Sequence, residues 1–139
     1  GTGCSNTFNR TITVQPTPRV EFTWPQGEEI CGPNAQIVIS NTSQAFGTAT
    51  YLWAVNPATG VTISDATAQN PTITFPDNQT GANRLYTVSL TVKSGQGCDA
   101  VLAKPLTVKP RPVAAFTLPD KGCNSPNIAP ANTSSGATA

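Results

Sequence analysis

Four cysteines, seven carboxylates and no histidine set the chemistry open to this chain of 139 residues. Without histidine there is no Ser–His or Cys–His pair to activate a nucleophile. The carboxylates are Glu21, Glu28, Glu29, Asp65, Asp77, Asp99 and Asp120. Glycoside hydrolysis needs two of them facing across a cleft. Glu28 and Glu29 are neighbours in one loop before Cys31, and adjacent loop residues rarely face each other. No catalytic residue is expected, and the chain does not read as an enzyme. A calcium ion would draw oxygen ligands from Asp65, Asp77 or Asp99 with backbone carbonyls, but no D-x-D-x-D spacing gathers them. No cofactor is therefore expected, calcium being the one ion these carboxylates would suit.

The cysteines are Cys4, Cys31, Cys98 and Cys123, with no CxxC pair among them. Structural zinc sites use such pairs or histidines, so metal binding does not fit. An even cysteine count, abundant threonine and a charged fraction of only 11% suit an oxidising, extracellular setting. The net charge is +1, and Lys93, Lys104, Lys109, Arg111 and Lys121 are spread singly. Nucleic-acid binding needs a basic patch to displace counterions, so that class is excluded. No apolar run approaches the roughly 18 residues of a membrane span. The sequence shows neither an initiator methionine nor a signal peptide, which reads as a segment of a longer precursor. Four N-x-[ST] words, at Asn9, Asn41, Asn78 and Asn132, would be glycosylation candidates in a eukaryotic secreted protein. In a chain this rich in Asn and Thr, some arise by chance.

The strongest signal comes from comparing the chain with itself. Thr13-Val14-Gln15-Pro16-Thr17-Pro18 through Phe22-Thr23-Trp24-Pro25 recurs as Thr107-Val108-Lys109-Pro110-Arg111-Pro112 through Phe116-Thr117-Leu118-Pro119, a shift of 94 residues that also separates Cys4 from Cys98. Cys31 and Cys123 follow their respective segments. Asn41-Thr42-Ser43 then recurs as Asn132-Thr133-Ser134, at a shift of 91. The kept order argues against chance. Residues 1–17 read as the C-terminal tail of one repeat, 18–110 as a complete repeat, and 111–139 as the N-terminal part of the next.

The elements that must position these residues are strands. Period-two alternation or β-branched runs predict strands over 19–24, 36–40, 50–55, 61–63, 72–75, 85–92, 100–102 and 106–108. Tyr86, Val88, Leu90 and Val92 fall on one face of the longest, which is the buried one. Trp53, Phe22 and Tyr86 are the expected core aromatics. Pro105 interrupts the last pair and belongs on an edge or at a bulge. About seven short strands in about 90 residues fit an immunoglobulin-like β-sandwich. Cys31 before the second strand and Cys98 at the opening of the last would share one end, so a Cys31–Cys98 disulfide is expected. Its loop of 68 residues would contribute on the order of 4 kcal/mol. Cys4 and Cys123 would then find partners in neighbouring repeats, remain free, or pair with each other. Pro16, Pro18, Pro110 and Pro112 mark the joints, where proline favours a stiff, extended connection.

These residues resemble PKD-type repeats, a family of immunoglobulin-like sandwiches found in surface and secreted proteins. The resemblance rests on Pro18-x-Val20-x-Phe22, Asn41-Thr42-Ser43, Tyr51-x-Trp53, Asn70-Pro71-Thr72-Ile73-Thr74-Phe75, Tyr86 to Val92 and Gly97-Cys98. The family's W-x-F-G-D-G turn is absent, since Ala54-Val55-Asn56-Pro57 follows Trp53. That departure is similar to the divergent, cysteine-containing PKD-like repeats in very large surface proteins of gliding Bacteroidota, exported by type IX secretion. The resemblance implies a structural stalk or spacer repeat of a giant cell-surface adhesin, serving surface adhesion and gliding motility. Its partners would be neighbouring repeats of the same chain, with a surface polysaccharide or protein as the outer target. A ligand-binding module for glycan or protein, and an accessory domain of a secreted hydrolase, are the alternatives. The aromatics argue against the first alternative, since they fall mostly on core faces. Trp24 is the exception, because Leu118 stands at its counterpart.

Overall fold

The structure, a computed structural model, describes residues 3–118 and 129–135. Asp120, Lys121 and Cys123 lie outside the described residues. The strands are β1 (Phe22–Thr23), β2 (Glu29–Ile30), β3 (Gln36–Val38), β4 (Ser40–Asn41), β5 (Thr50–Asn56), β6 (Thr62–Ile63), β7 (Thr72–Thr74), β8 (Arg84–Lys93), β9 (Asp99–Val108), β10 (Phe116–Thr117) and β11 (Ala131–Asn132). No helix occurs among the described residues. The chain is all-β, in line with its wealth of Thr, Val and Ile, whose branched Cβ suits a pleated surface.

One sheet has the order β2-β9-β8-β5 and another the order β3-β7-β6, while β1 pairs with β4 and β10 with β11. β8 is the centre of the larger sheet, pairing antiparallel with β5 and with all ten residues of β9. Its alternation decides what is inside. Tyr86, Val88, Leu90 and Val92 are buried, whereas Leu85, Thr87 and Lys93 are exposed. Trp53 and Val55 of β5, Leu106 and Val108 of β9, Ile37 of β3 and Ile73 of β7 join them in one core with Phe22, Ile39 and Phe75. Burying one such side chain stabilises by about 1.5–3 kcal/mol, so these alternating faces hold the sheets together. Phe22 meets Trp53 edge-on at 5.0 Å, and Phe75 meets Tyr86 at 5.0 Å. Two main sheets around one core are compatible with a β-sandwich.

The last strand differs from the expected two pieces. β9 runs unbroken through Pro105, which lies opposite Thr87 of β8. The amides of Thr107 and Lys109 donate away from β8, to the carbonyls of Glu28 and Ile30. Successive residues of a strand alternate direction, so residue 105 would aim its N–H the same way. Among the described residues no strand covers β9 there, because β2 reaches only Thr107 and Val108. The missing proline donor therefore falls on an open edge and breaks no ladder bond. β2 itself, a two-residue parallel pairing, is too short to show any periodicity.

The β10–β11 pair repeats the geometry of the β1–β4 pair. Phe22 pairs with Asn41 and Thr23 with Ser40, and likewise Phe116 with Asn132 and Thr117 with Ala131. An isolated bridge precedes each, Arg19 to Gln44 and Val113 to Ser135. The Glu21 amide donates to Ser43 Oγ at 3.0 Å, and the Ala115 amide to Ser134 Oγ at 3.0 Å. Asn41 Oδ1 accepts from the Ser43 amide at 3.0 Å, and Asn132 Oδ1 from the Ser134 amide at 2.9 Å. Both Asn-x-Ser words thus fold as side-chain-capped turns, a conformation short polar side chains favour.

Candidate functional site

The carboxylates do not converge. Glu21 pairs with Lys104 at 3.3 Å, Glu29 with Lys109 at 2.6 Å and Asp77 with Arg111 at 3.5 Å. Asp65 turns back on its own loop: its Oδ1 accepts the Thr67 hydroxyl at 2.7 Å and the Thr67 amide at 2.8 Å. The hydroxyl bond first, and the amide bond second, hold its pKa below the ordinary carboxylate value. Asp99 sits opposite Lys93 at the end of β9. Asp65, Asp77 and Asp99 thus occupy separate places, and no group of three or more His, Cys, Asp or Glu that could hold a metal is found among the described residues.

The expected core aromatics are placed together: Phe22, Trp53 and Tyr86 are all buried. Trp24 joins them, with its ring 5.7 Å from Phe22 and its Nε1 donating to the Gly27 carbonyl at 2.5 Å. It packs within the 18–110 segment, so it forms neither an exposed binding platform nor a junction contact. Asn41 and Asn78 are 8% and 1% exposed, so a glycan on either is incompatible with this packing, whereas Asn9 and Asn132 are exposed.

The cysteines require a correction. Cys31 and Cys98 are both free thiols, the first exposed and the second half-buried. Cys31 follows Ile30, which pairs with Val108 at the finish of β9, whereas Cys98 precedes Asp99 at its start. The ten residues of β9 separate them by on the order of 30 Å at about 3.3 Å per residue. A disulfide needs Cα atoms within about 7 Å. The expected bridge assumed that Cys31 and Cys98 share one end. The parallel β2–β9 pairing places Cys31 at the other. Cys4 is also free and exposed.

What the structure does assemble is the exit from the 18–110 segment. The Lys109 amide donates to the Ile30 carbonyl at 2.8 Å. Asn78 Nδ2 donates to the Val108 carbonyl at 2.8 Å and to Ala82 O at 2.8 Å. The Arg111 amide donates to the Asn78 carbonyl at 2.9 Å. The Lys109–Glu29 and Arg111–Asp77 ion pairs flank Pro110, which is half-buried. Hydrogen bonding to Glu29, and then the charge of that carboxylate, raise the Lys109 pKa. Chain direction after β9 is thus held from both sides of Pro110, while Pro112 is exposed.

The entrance is plainer. Residues 3–17 are exposed throughout, Pro16 included, and Pro18 is the first buried residue. Cys98 Sγ lies 4.0 Å from the Gln15 carbonyl, a contact between this tail and the segment that follows it. Sequence reasoning missed Glu29, Asp77 and Asn78 at the exit. Nothing local in Pro76-Asp77-Asn78 tied it to Lys109 or Arg111.

No protein-family model matches the chain, and no curated protein matches it. Among solved structures, the chain is similar to a nucleoside hydrolase-related hypothetical protein from Saccharophagus degradans that is associated with carbohydrate metabolism, with 10% identity and a TM-score of 0.47, over 70% of this chain and 26% of that one.

Proposed function

We propose that the chain is a stalk segment of a large cell-surface protein, built from PKD-like, immunoglobulin-like units joined head to tail with little freedom at each joint. The observation that carries this reading is the β10–β11 pair, which repeats the register and side-chain caps of the β1–β4 pair at the sequence repeat's own spacing. A second opening of the same unit directly after a clamped exit is what a linear array needs. The clamp supports stiffness as well: amide bonds, a buried Asn and two ion pairs hold Val108, Lys109 and Arg111, where the chain leaves β9. Proline adds a fixed φ at the same place.

In this reading the segment extends an adhesive region away from an extracellular surface. The resemblance to repeats of gliding Bacteroidota adhesins supports export by type IX secretion. Adhesion assays on the purified chain test the reading directly. A spacer shows no saturable binding to glycan arrays or to cell-surface extracts. Saturable binding with a micromolar or tighter Kd would make it a binding module instead.

A further inference from the structure

The two cysteines that cannot meet within one unit stand at opposite poles, each beside a joint. At the exit, Cys31 follows Ile30, whose carbonyl accepts the Lys109 amide at 2.8 Å. At the entrance, Cys98 Sγ touches the Gln15 carbonyl at 4.0 Å. Gln15 and Lys109 are the same position of the repeat, each following valine and preceding proline. That one linker residue therefore has Cys31 of the preceding unit near its N–H and the Cys98 position of the following unit near its C=O. A residue before proline is held extended. In extended backbone the N–H and C=O of one residue point to the same edge. The Ile30 carbonyl, next to Cys31 in the chain, and the Cys98 sulfur thus meet the same side of one residue.

We propose that Cys31 of each unit forms a disulfide with the Cys98 position of the unit that follows, stapling every joint across its prolines. This rests on the head-to-tail reading of the array. Each bond forms from two thiols with loss of two protons and two electrons, which a low-molecular-weight disulfide takes up. One cysteine thiolate attacks that reagent and releases one small thiol; the second cysteine then displaces the other. Cys31 is exposed and Cys98 half-buried, so both are open to exchange. A staple in this position restrains bending between units rather than cross-linking the interior of one.

The test is the chain with residues 19–112 duplicated head to tail. All the buried core side chains lie between Phe22 and Val108, so each copy carries its whole core. The protein is oxidised with glutathione disulfide, its remaining thiols are alkylated, and it is digested without reduction for mass spectrometry. The expected product joins Cys31 of the first copy to Cys98 of the second, and is lost on reduction or in the Cys98→Ser variant of the second copy. Small-angle scattering on the same sample reports whether the two units form an extended, stiff pair. A bridge within one copy overturns the staple. Alkylation of both thiols in a stiff, extended pair also overturns it, but leaves the stalk standing. Freely hinged units with both thiols alkylated overturn both.

Discussion

The β1–β4 and β10–β11 hairpins share their register and their side-chain caps, yet Phe22 is fully buried and its counterpart Phe116 is 68% exposed. Trp24 is buried and its counterpart Leu118 is exposed. The first hairpin lies against Trp53 and the rest of one core. The second has no such cover among the described residues, and its side chains line an open apolar groove of about 410 Å³ that includes Ala115, Phe116, Leu118 and Pro130. The Asn-x-Ser turn is therefore local, while the strand pair it accompanies joins separate segments of the chain. The energetic value of the same side chains is not local. It depends on whether the larger sheet is present to take them.

That contrast is broken most sharply at the aromatic. Phe22→Ala should lower unfolding stability by about 3–5 kcal/mol, the usual result of emptying a large core site. Phe116→Ala should change it by no more than about 0.5 kcal/mol, as at an exposed site. Urea midpoints followed by the fluorescence of buried Trp24 and Trp53 measure both, and equal effects would mean that the second hairpin is also packed.

A smaller effect is expected at the exit clamp. Asn78→Ala removes the donor from the Val108 and Ala82 carbonyls, leaving a buried acceptor at a cost of about 1–3 kcal/mol. The joint should loosen with it, seen as faster amide exchange at Arg111. Unchanged exchange there would remove Asn78 from the clamp.

At the serines the two hairpins should differ less. Ser43→Ala should cost about 1 kcal/mol by giving up its bonds to both backbone groups of Glu21. Ser134→Ala should cost less, because its bonds to Ala115 are exposed and water can take their place. A thermal-shift series on the two variants ranks them.

The smallest effect belongs to the Lys109–Glu29 pair, whose side chains are 42% and 58% exposed. The Lys109 pKa is raised above its ordinary 10.5. Its contribution is therefore fully present below that value and is lost as pH rises through the higher, folded-state pKa. Glu29→Gln should flatten the fall in stability above pH 10.5 and leave neutral-pH stability almost unchanged. A pH titration of the urea midpoint checks it.

The alternation of β8 and β5 was legible in the sequence, because period-two burial is written residue by residue. Tyr86, Val88, Leu90 and Val92 faced inward on that ground alone. Pro16, Pro18, Pro110 and Pro112 stood out in the sequence, since proline acts on its own backbone. What holds the chain where it leaves β9 was not legible, because Glu29, Asp77 and Asn78 lie far from Lys109 and Arg111 in the chain. The same cause misplaced the cysteines. Cys31 and Cys98 looked like neighbours at one end until the parallel β2–β9 pairing set them at opposite poles.

By itself, then, the sequence determined the all-β class, the strands with strong alternation and the repeated Asn-x-Ser word, all consequences of backbone preference and short-range pattern. Only the tertiary structure decided which hairpin is roofed, which carboxylates clamp the exit, and that Cys31 and Cys98 face away from each other. Those outcomes depend on strand order and direction. Strand order and direction follow from burying one common core, not from any single segment.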